Sequence, residues 1–127
     1  VGSEMCIRDR KGGKIINISS VAGIRMSPAF IQYGAAKAGV INLTKSLASC
    51  WGPYNINVNC IAPGLTATEG VAHWLPSKTD EDGNAVPSLQ LPPEPEHVAQ
   101  LAVFLASEAS SNISGELFPI RSLTELA

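Results

Sequence analysis

The sequence predicts an α/β fold, part of a doubly wound parallel sheet, and three stretches predict it. Short β-branched runs at about 14–19 and 56–61 read as buried strands, the first bounded by Gly12-Gly13 and Ser19-Ser20. Between them lies a long helix, from about Phe30 to Trp51. In it Val40, Leu43 and Leu47 recur at spacings of three and four, and Gly52-Pro53 ends the run. Strand, helix, strand in this order is a parallel crossover unit, with a strong right-handed preference. A second helix at about 94–107 continues the pattern. It is opened by Pro95 or Glu94 and carries Val98, Leu101, Ala102 and Leu105 on one face. Gly115 then introduces a last short strand at about 115–120.

Composition agrees with part of one globular domain. The chain has 127 residues, 45% of them hydrophobic and 16% charged, which is enough apolar material for a core and too little charge for disorder. Net charge is −2 with no basic stripe, so binding to a nucleic-acid backbone has no electrostatic footing. Apolar runs are too short for a membrane span, and no signal peptide opens the chain. Cys50 and Cys60 form no closely spaced metal pair, Cys60 reads as inert packing in an apolar strand, and reduced thiols fit a cytoplasmic location. No metal site is expected.

The chemistry concentrates between Ser20 and Lys37. Tyr33-x3-Lys37 on a helix puts a phenol and an ammonium on one face, about one turn apart. A lysine beside a tyrosine favours the phenolate, so a phenol with an ordinary pKa of roughly 10 becomes usable as an acid or base nearer neutrality. Ser20 follows the first strand, at the carboxyl edge where open α/β sheets bind ligands, and can donate a hydrogen bond to a substrate oxygen. The bland alternative is a helical tyrosine packing its ring while Lys37 reaches water. At the end of the second strand, Pro63 cannot extend a ladder and Gly64 lets the backbone turn near a ligand. An ordinary turn with a capping threonine at Thr68 is the rival reading there.

Three segments agree in order and spacing: GGKIINISSVAG, YGAAKAGVINLTKSLA and WGPYNINVNCIAPGLTAT. From about Gly12 to Ile120 the chain resembles the carboxyl-terminal half of the short-chain dehydrogenase/reductase family, in the compact form of 3-oxoacyl carrier-protein reductases. The resemblance implies a Rossmann-type fold and hydride transfer between a nicotinamide, NAD or NADP, and a small carbonyl or alcohol substrate. It implies that Ser20 orients the substrate oxygen, Tyr33 moves the proton, and Lys37 assists Tyr33 and holds the nicotinamide ribose. Tyr33, Lys37, Pro63, Gly64, the Thr66 backbone and the Thr68 hydroxyl would then contact the cofactor. A homo-oligomer, dimer or tetramer, is also implied, with the small residues Gly34, Ala35, Ala36, Ala38 and Gly39 serving either a helix from a second subunit or tight helix-on-sheet packing. After Leu117 the likeness fails, because FPIRSLTELA stands where many members carry an acidic residue and a glycine pair. Two other functions stay open: a nucleotide-sugar epimerase or dehydratase using the same Tyr/Lys pair, and a non-catalytic subunit that keeps the fold.

No glycine-rich pyrophosphate loop occurs in the sequence, and Gly12-Gly13 is too short to serve as one. Residues 11–127 therefore read as an incomplete catalytic domain lacking its dinucleotide-binding half, inactive and poorly soluble in isolation. The missing half would also hold the residue that chooses NAD or NADP, and the relay asparagine that the family implies. Residues 1–10, VGSEMCIRDR, lack any period or cap and match the translation of a sequencing adapter. They read as an artefactual tail, the alternative being a disordered terminus. Residues 69–93 read as one or two helical turns, with Val71, Trp74 and Leu75 as an apolar edge, followed by an exposed proline-rich loop that the resemblance makes a lid. His73 and Trp74 are candidate lining for its pocket, and His97 is a surface residue opening a helix.

Overall fold

The structure, a computed structural model, describes residues 12–125; the tail at 1–10 lies outside them. Three strands form one parallel sheet: β1 (Gly13–Ile18), β2 (Ile56–Pro63) and β3 (Leu117–Ile120), in that spatial order. Two helices connect them, α1 (Ile31–Trp51) between β1 and β2 and α2 (Pro95–Ala106) between β2 and β3. The register sets Gly13 opposite Ile56, Ile18 opposite Ile61, and Pro63 opposite Ile120. The carboxyl ends of the strands therefore lie together, with the loops after Ile18 and Pro63 side by side.

β2 is the core. It has a neighbour on each edge and packs against both helices, so Ile56, Val58, Cys60, Ile61 and Ala62 are all buried. An apolar, β-branched run suits such a two-sided strand, and each of its fully buried large aliphatic side chains contributes about 1.5–3 kcal/mol. The two polar residues in this strand are fully used. Asn57 donates to the Ser111 and Ile113 carbonyls, both at 2.9 Å. Asn59 donates to the Ile113 carbonyl at 2.8 Å and accepts the Glu116 N–H at 3.1 Å. These side chains tie the segment entering β3 to the central strand.

Four sequence expectations need correction. The first strand ends at Ile18 rather than Ser19, although the Ser19 N–H still donates to the Ile61 carbonyl at 2.8 Å. The second strand runs two residues further, to Pro63, and Gly64 completes the pairing by donating its N–H to the Ile120 carbonyl at 2.8 Å. The last strand begins at Leu117, because Gly115 turns with φ 76° and Glu116 is held by the Asn59 side chain. Leu43 is half exposed, whereas Gly34 and Thr44 are the buried positions of α1. Thr44 donates to the Val40 carbonyl at 2.8 Å and accepts from Asn17 of β1 at 3.0 Å, so a polar link holds the centre of α1 to the sheet.

The helix ends follow local chemistry. α1 is entered through a turn in which Phe30 N–H donates to the Ser27 carbonyl at 3.1 Å. It leaves through a 3-10 turn at Gly52–Tyr54, then Asn55 at φ 59°, a left-handed position that asparagine tolerates. α2 opens with Glu94 and His97 bonding each other's backbone, the His97 Nδ1 accepting the Glu94 N–H at 3.0 Å. Its inner face runs along Val98, Leu101, Ala102 and Leu105, with Leu105 fully buried. Among the described residues, β1 pairs with β2 alone and presents its other edge unpaired.

Candidate active site

The residues after β1 turn sharply. Ser20 is extended and caps a 3-10 turn at Val21–Gly23, its Oγ accepting the Ala22 N–H at 3.1 Å. Because that hydroxyl accepts, its own proton is left to donate. The turn then runs close against α1, and two glycines make room for it. A β-carbon on Gly23 would meet the Lys37 carbonyl carbon at 2.6 Å, and one on Gly34 would meet Ser27 Cβ at 2.8 Å and the Ala22 oxygen at 3.0 Å.

This close packing brings the turn over the first part of α1 and forms a cleft of about 530 Å³. Ser20, Tyr33, Gly64 and Leu65 all line it, with Arg25 and Phe30 among the other walls. Tyr33 is 48% exposed, so its ring is half packed and half open. Lys37 sits one turn further along α1, its Nζ 5.6 Å from the centre of the Tyr33 ring, within cation–π range. The same ammonium donates to the Ile18 carbonyl at 3.3 Å. One of its three hydrogens is thereby used and two remain for a ligand.

Pro63, Gly64, Thr66 and Thr68 follow β2 on the neighbouring loop. Thr66 Oγ1 donates to the Gly64 carbonyl at 3.1 Å, and the Thr68 N–H donates to the Thr66 carbonyl at 2.8 Å. Thr68 precedes a 3-10 segment at Glu69–Trp74 without a side-chain cap bond, so the capping alternative does not account for its hydroxyl. Of these four residues Gly64 alone lines the cleft.

A separate cleft of about 380 Å³ lies at the β3 edge, walled by Leu75, Leu89, Pro93 and Ile120 with Lys78 and Arg121. The loop expected to act as a lid covers this second cleft, and none of Ser20, Tyr33 or Lys37 lines it. His73 and Trp74 line neither; they are exposed and rest on each other, with ring centres 4.5 Å apart. Within the same loop Thr79 bridges Ala85, and Asp80 Oδ1 accepts the Asp82 and Asn84 N–H groups at 2.9 and 2.8 Å, a small hairpin that the sequence reading did not foresee. The described residues contain no cluster of potential metal ligands and no helix long and apolar enough to cross a membrane.

Sequence reasoning missed Ser19 and Gly23. Strand alternation held the signal for Ser19, since neighbours at a strand end point to opposite sides. Ser20 faces the cleft, and Ser19, 3% exposed, donates to the Lys37 carbonyl at 2.7 Å. Gly23 carried no such signal, because its requirement arises from α1 lying against it.

A family model described as enoyl-(acyl carrier protein) reductase matches residues 4–120. The chain is 43% identical over 110 residues to the 3-oxoacyl-(acyl-carrier-protein) reductase of Chlamydia trachomatis, covering 87% of this chain and 44% of the relative. It belongs to the short-chain dehydrogenase/reductase family. A crystal structure of a 3-oxoacyl-(acyl-carrier protein) reductase from Brucella melitensis superposes with a TM-score of 0.76 at 34% identity, over 96% of this chain and 46% of that one. Another from the same organism, with bound NAD, gives 0.73 at 33% identity, over 96% and 44%. The three parallel strands with their connecting helices are thus part of a Rossmann-type sheet. The chain spans less than half the length of these relatives.

Proposed function

We propose that the protein carrying this chain is an oxidoreductase that transfers hydride between NAD or NADP and a small carbonyl or alcohol compound. The observation that carries the reading is the single cleft lined by Ser20, Tyr33 and Gly64, with the Lys37 ammonium beside the Tyr33 ring. In this reading the substrate oxygen lies between two hydroxyls. Ser20, whose oxygen is already occupied by the Ala22 N–H, donates its proton as a hydrogen bond and orients the carbonyl. Tyr33 donates its phenolic proton to the same oxygen as hydride arrives at carbon, and takes it back in the reverse direction.

Lys37 stabilises the phenolate left on Tyr33 and holds ribose hydroxyls with its two remaining hydrogens. The donor set fits a nicotinamide nucleotide: an ammonium with spare donors, a half-open phenol, and the Gly64 backbone at the carboxyl edge of the sheet. Pro63, Thr66 and Thr68, on the loop that follows β2 beside Gly64, would hold the nicotinamide end. When bound, the nicotinamide supplies or accepts the hydride. The named relatives are reductases, which favours net redox chemistry over epimerisation of a nucleotide sugar.

The chain spans 44% of its Chlamydia relative, and residues 11–127 work in this proposal with a dinucleotide-binding half that pairs along the open edge of β1. A homo-oligomer is part of the same reading. The test uses the full-length protein encoded by the parent gene, with carbonyl substrates offered against reduced NAD and NADP. Tyr33→Phe lowers kcat about 100- to 10,000-fold while cofactor still binds. Turnover by Tyr33→Phe at the wild-type rate would remove the reading.

A further inference from the structure

Beyond the three residues of the proposed reaction, the structure assigns a positioning role to Ser19: it fixes the Lys37 turn of α1 against the end of β1. The inference rests on the functional reading above for its catalytic consequence, and on geometry alone for the contact. Ser19 is held from two sides. Its N–H donates to the Ile61 carbonyl of β2 at 2.8 Å, and its Oγ donates to the Lys37 carbonyl at 2.7 Å. The preceding residue answers in the other direction, the Ile18 carbonyl accepting the Lys37 ammonium at 3.3 Å.

Two consecutive residues of the strand end therefore grip both ends of one lysine, its main chain and its side-chain tip. Burial makes the grip firm, since Ser19 is 3% exposed and water has little access to compete for its hydroxyl. Gly23 closes the arrangement by letting the following turn lie on the Lys37 carbonyl. The Lys37 main chain is thus held on the sheet while its ammonium stays beside the Tyr33 ring. Without the Ser19 hydroxyl, the Lys37 carbonyl loses its link to β1, and this turn of α1 is free to move relative to Ser20.

Full-length protein is compared as wild type, Ser19→Ala, Ser19→Thr, Lys37→Met and the Ser19→Ala/Lys37→Met double variant. Two readouts are taken: amide hydrogen exchange along α1, and kcat with cofactor KM. Ser19→Ala is expected to speed exchange in the helical turn around Lys37, lower kcat about tenfold and raise cofactor KM, while Ser19→Thr, which keeps the hydroxyl, recovers most of both. On the Lys37→Met background, Ser19→Ala produces no further loss of turnover or cofactor binding, because both changes act through one side chain. Unchanged exchange at the Lys37 turn in Ser19→Ala overturns the inference, as does an equal loss of activity with and without Lys37. If Lys37→Met itself leaves turnover and cofactor binding intact, the functional reading fails instead, and local exchange still decides whether Ser19 holds the turn.

Discussion

Replacing Gly23 by alanine asks how tightly the turn after β1 must sit on α1. The added β-carbon would lie 2.6 Å from the Lys37 carbonyl carbon, 2.7 Å from the Ala38 nitrogen and 2.9 Å from the Lys37 oxygen. All three are main-chain atoms, so no side chain can swing aside. Ordinary contact begins at 3.4 Å, and the turn and helix must therefore part by about 0.8 Å. Overpacking of this kind costs about 1–3 kcal/mol. The shift falls on the residue that carries the ammonium and on the loop that carries Ser20, and a misplacement near 1 Å at reacting groups lowers rate about 100-fold. Steady-state hydride transfer and thermal melting of the full-length protein measure the two effects. Gly39→Ala is the control, since nothing lies within 4 Å of its added carbon and the helix gains up to about 1 kcal/mol. Wild-type kcat in Gly23→Ala would refute the claim that close approach of this turn to Lys37 assembles the site.

Three further outcomes follow from the packing. Asn59→Ala leaves the Glu116 N–H without its buried partner, while the Ile113 carbonyl keeps its bond from Asn57, and destabilises by about 1–3 kcal/mol in denaturant unfolding; a change under about 0.5 kcal/mol would contradict it. Burial pushes the Cys60 thiol up from its ordinary 9.0, outweighing the hydrogen bonds from Thr44 and Ser19 and the Lys37 charge that pull it down. The folded state then binds that proton more tightly than the unfolded chain. The contribution of Cys60 to stability is fully present below pH 9.0 and is lost as pH rises through the raised value, and melting in Cys60→Ala loses that part of the alkaline decline. The helix-on-sheet alternative fails for Ala35, Ala36, Ala38 and Gly39, which are exposed, and Ala36→Arg tests the second-subunit role: dissociation seen by ultracentrifugation supports it, and an unchanged oligomer contradicts it. Gly34 already serves packing within the chain, against Ser27 and Ala22.

The order of elements was legible because hydrophobic period and turn residues are local properties. β-Branched runs marked β1 and β2, Gly52-Pro53 marked the end of α1, and the apolar stripe from Val98 to Leu105 marked the inner face of α2. Tyr33 and Lys37 were legible as a pair because one helical turn separates them whatever surrounds the helix. Boundaries were less so. Ser19 and Gly115 sit beside strands, yet the neighbouring strand decides whether their backbone joins a ladder or a turn.

Which face of α1 turns inward was a tertiary matter. Leucine spacing pointed to Leu43, but the sheet takes Thr44, whose hydroxyl meets Asn17 across the interface, a hydrogen bond that no local pattern specifies. The same holds for Ser19 and Gly23, whose roles exist only because a helix carbonyl comes within reach of one and a helix backbone presses on the other. Sequence period sets what each segment can become; the distances between segments set which side chains act together, because hydrogen bonds and steric contact reach only a few ångströms.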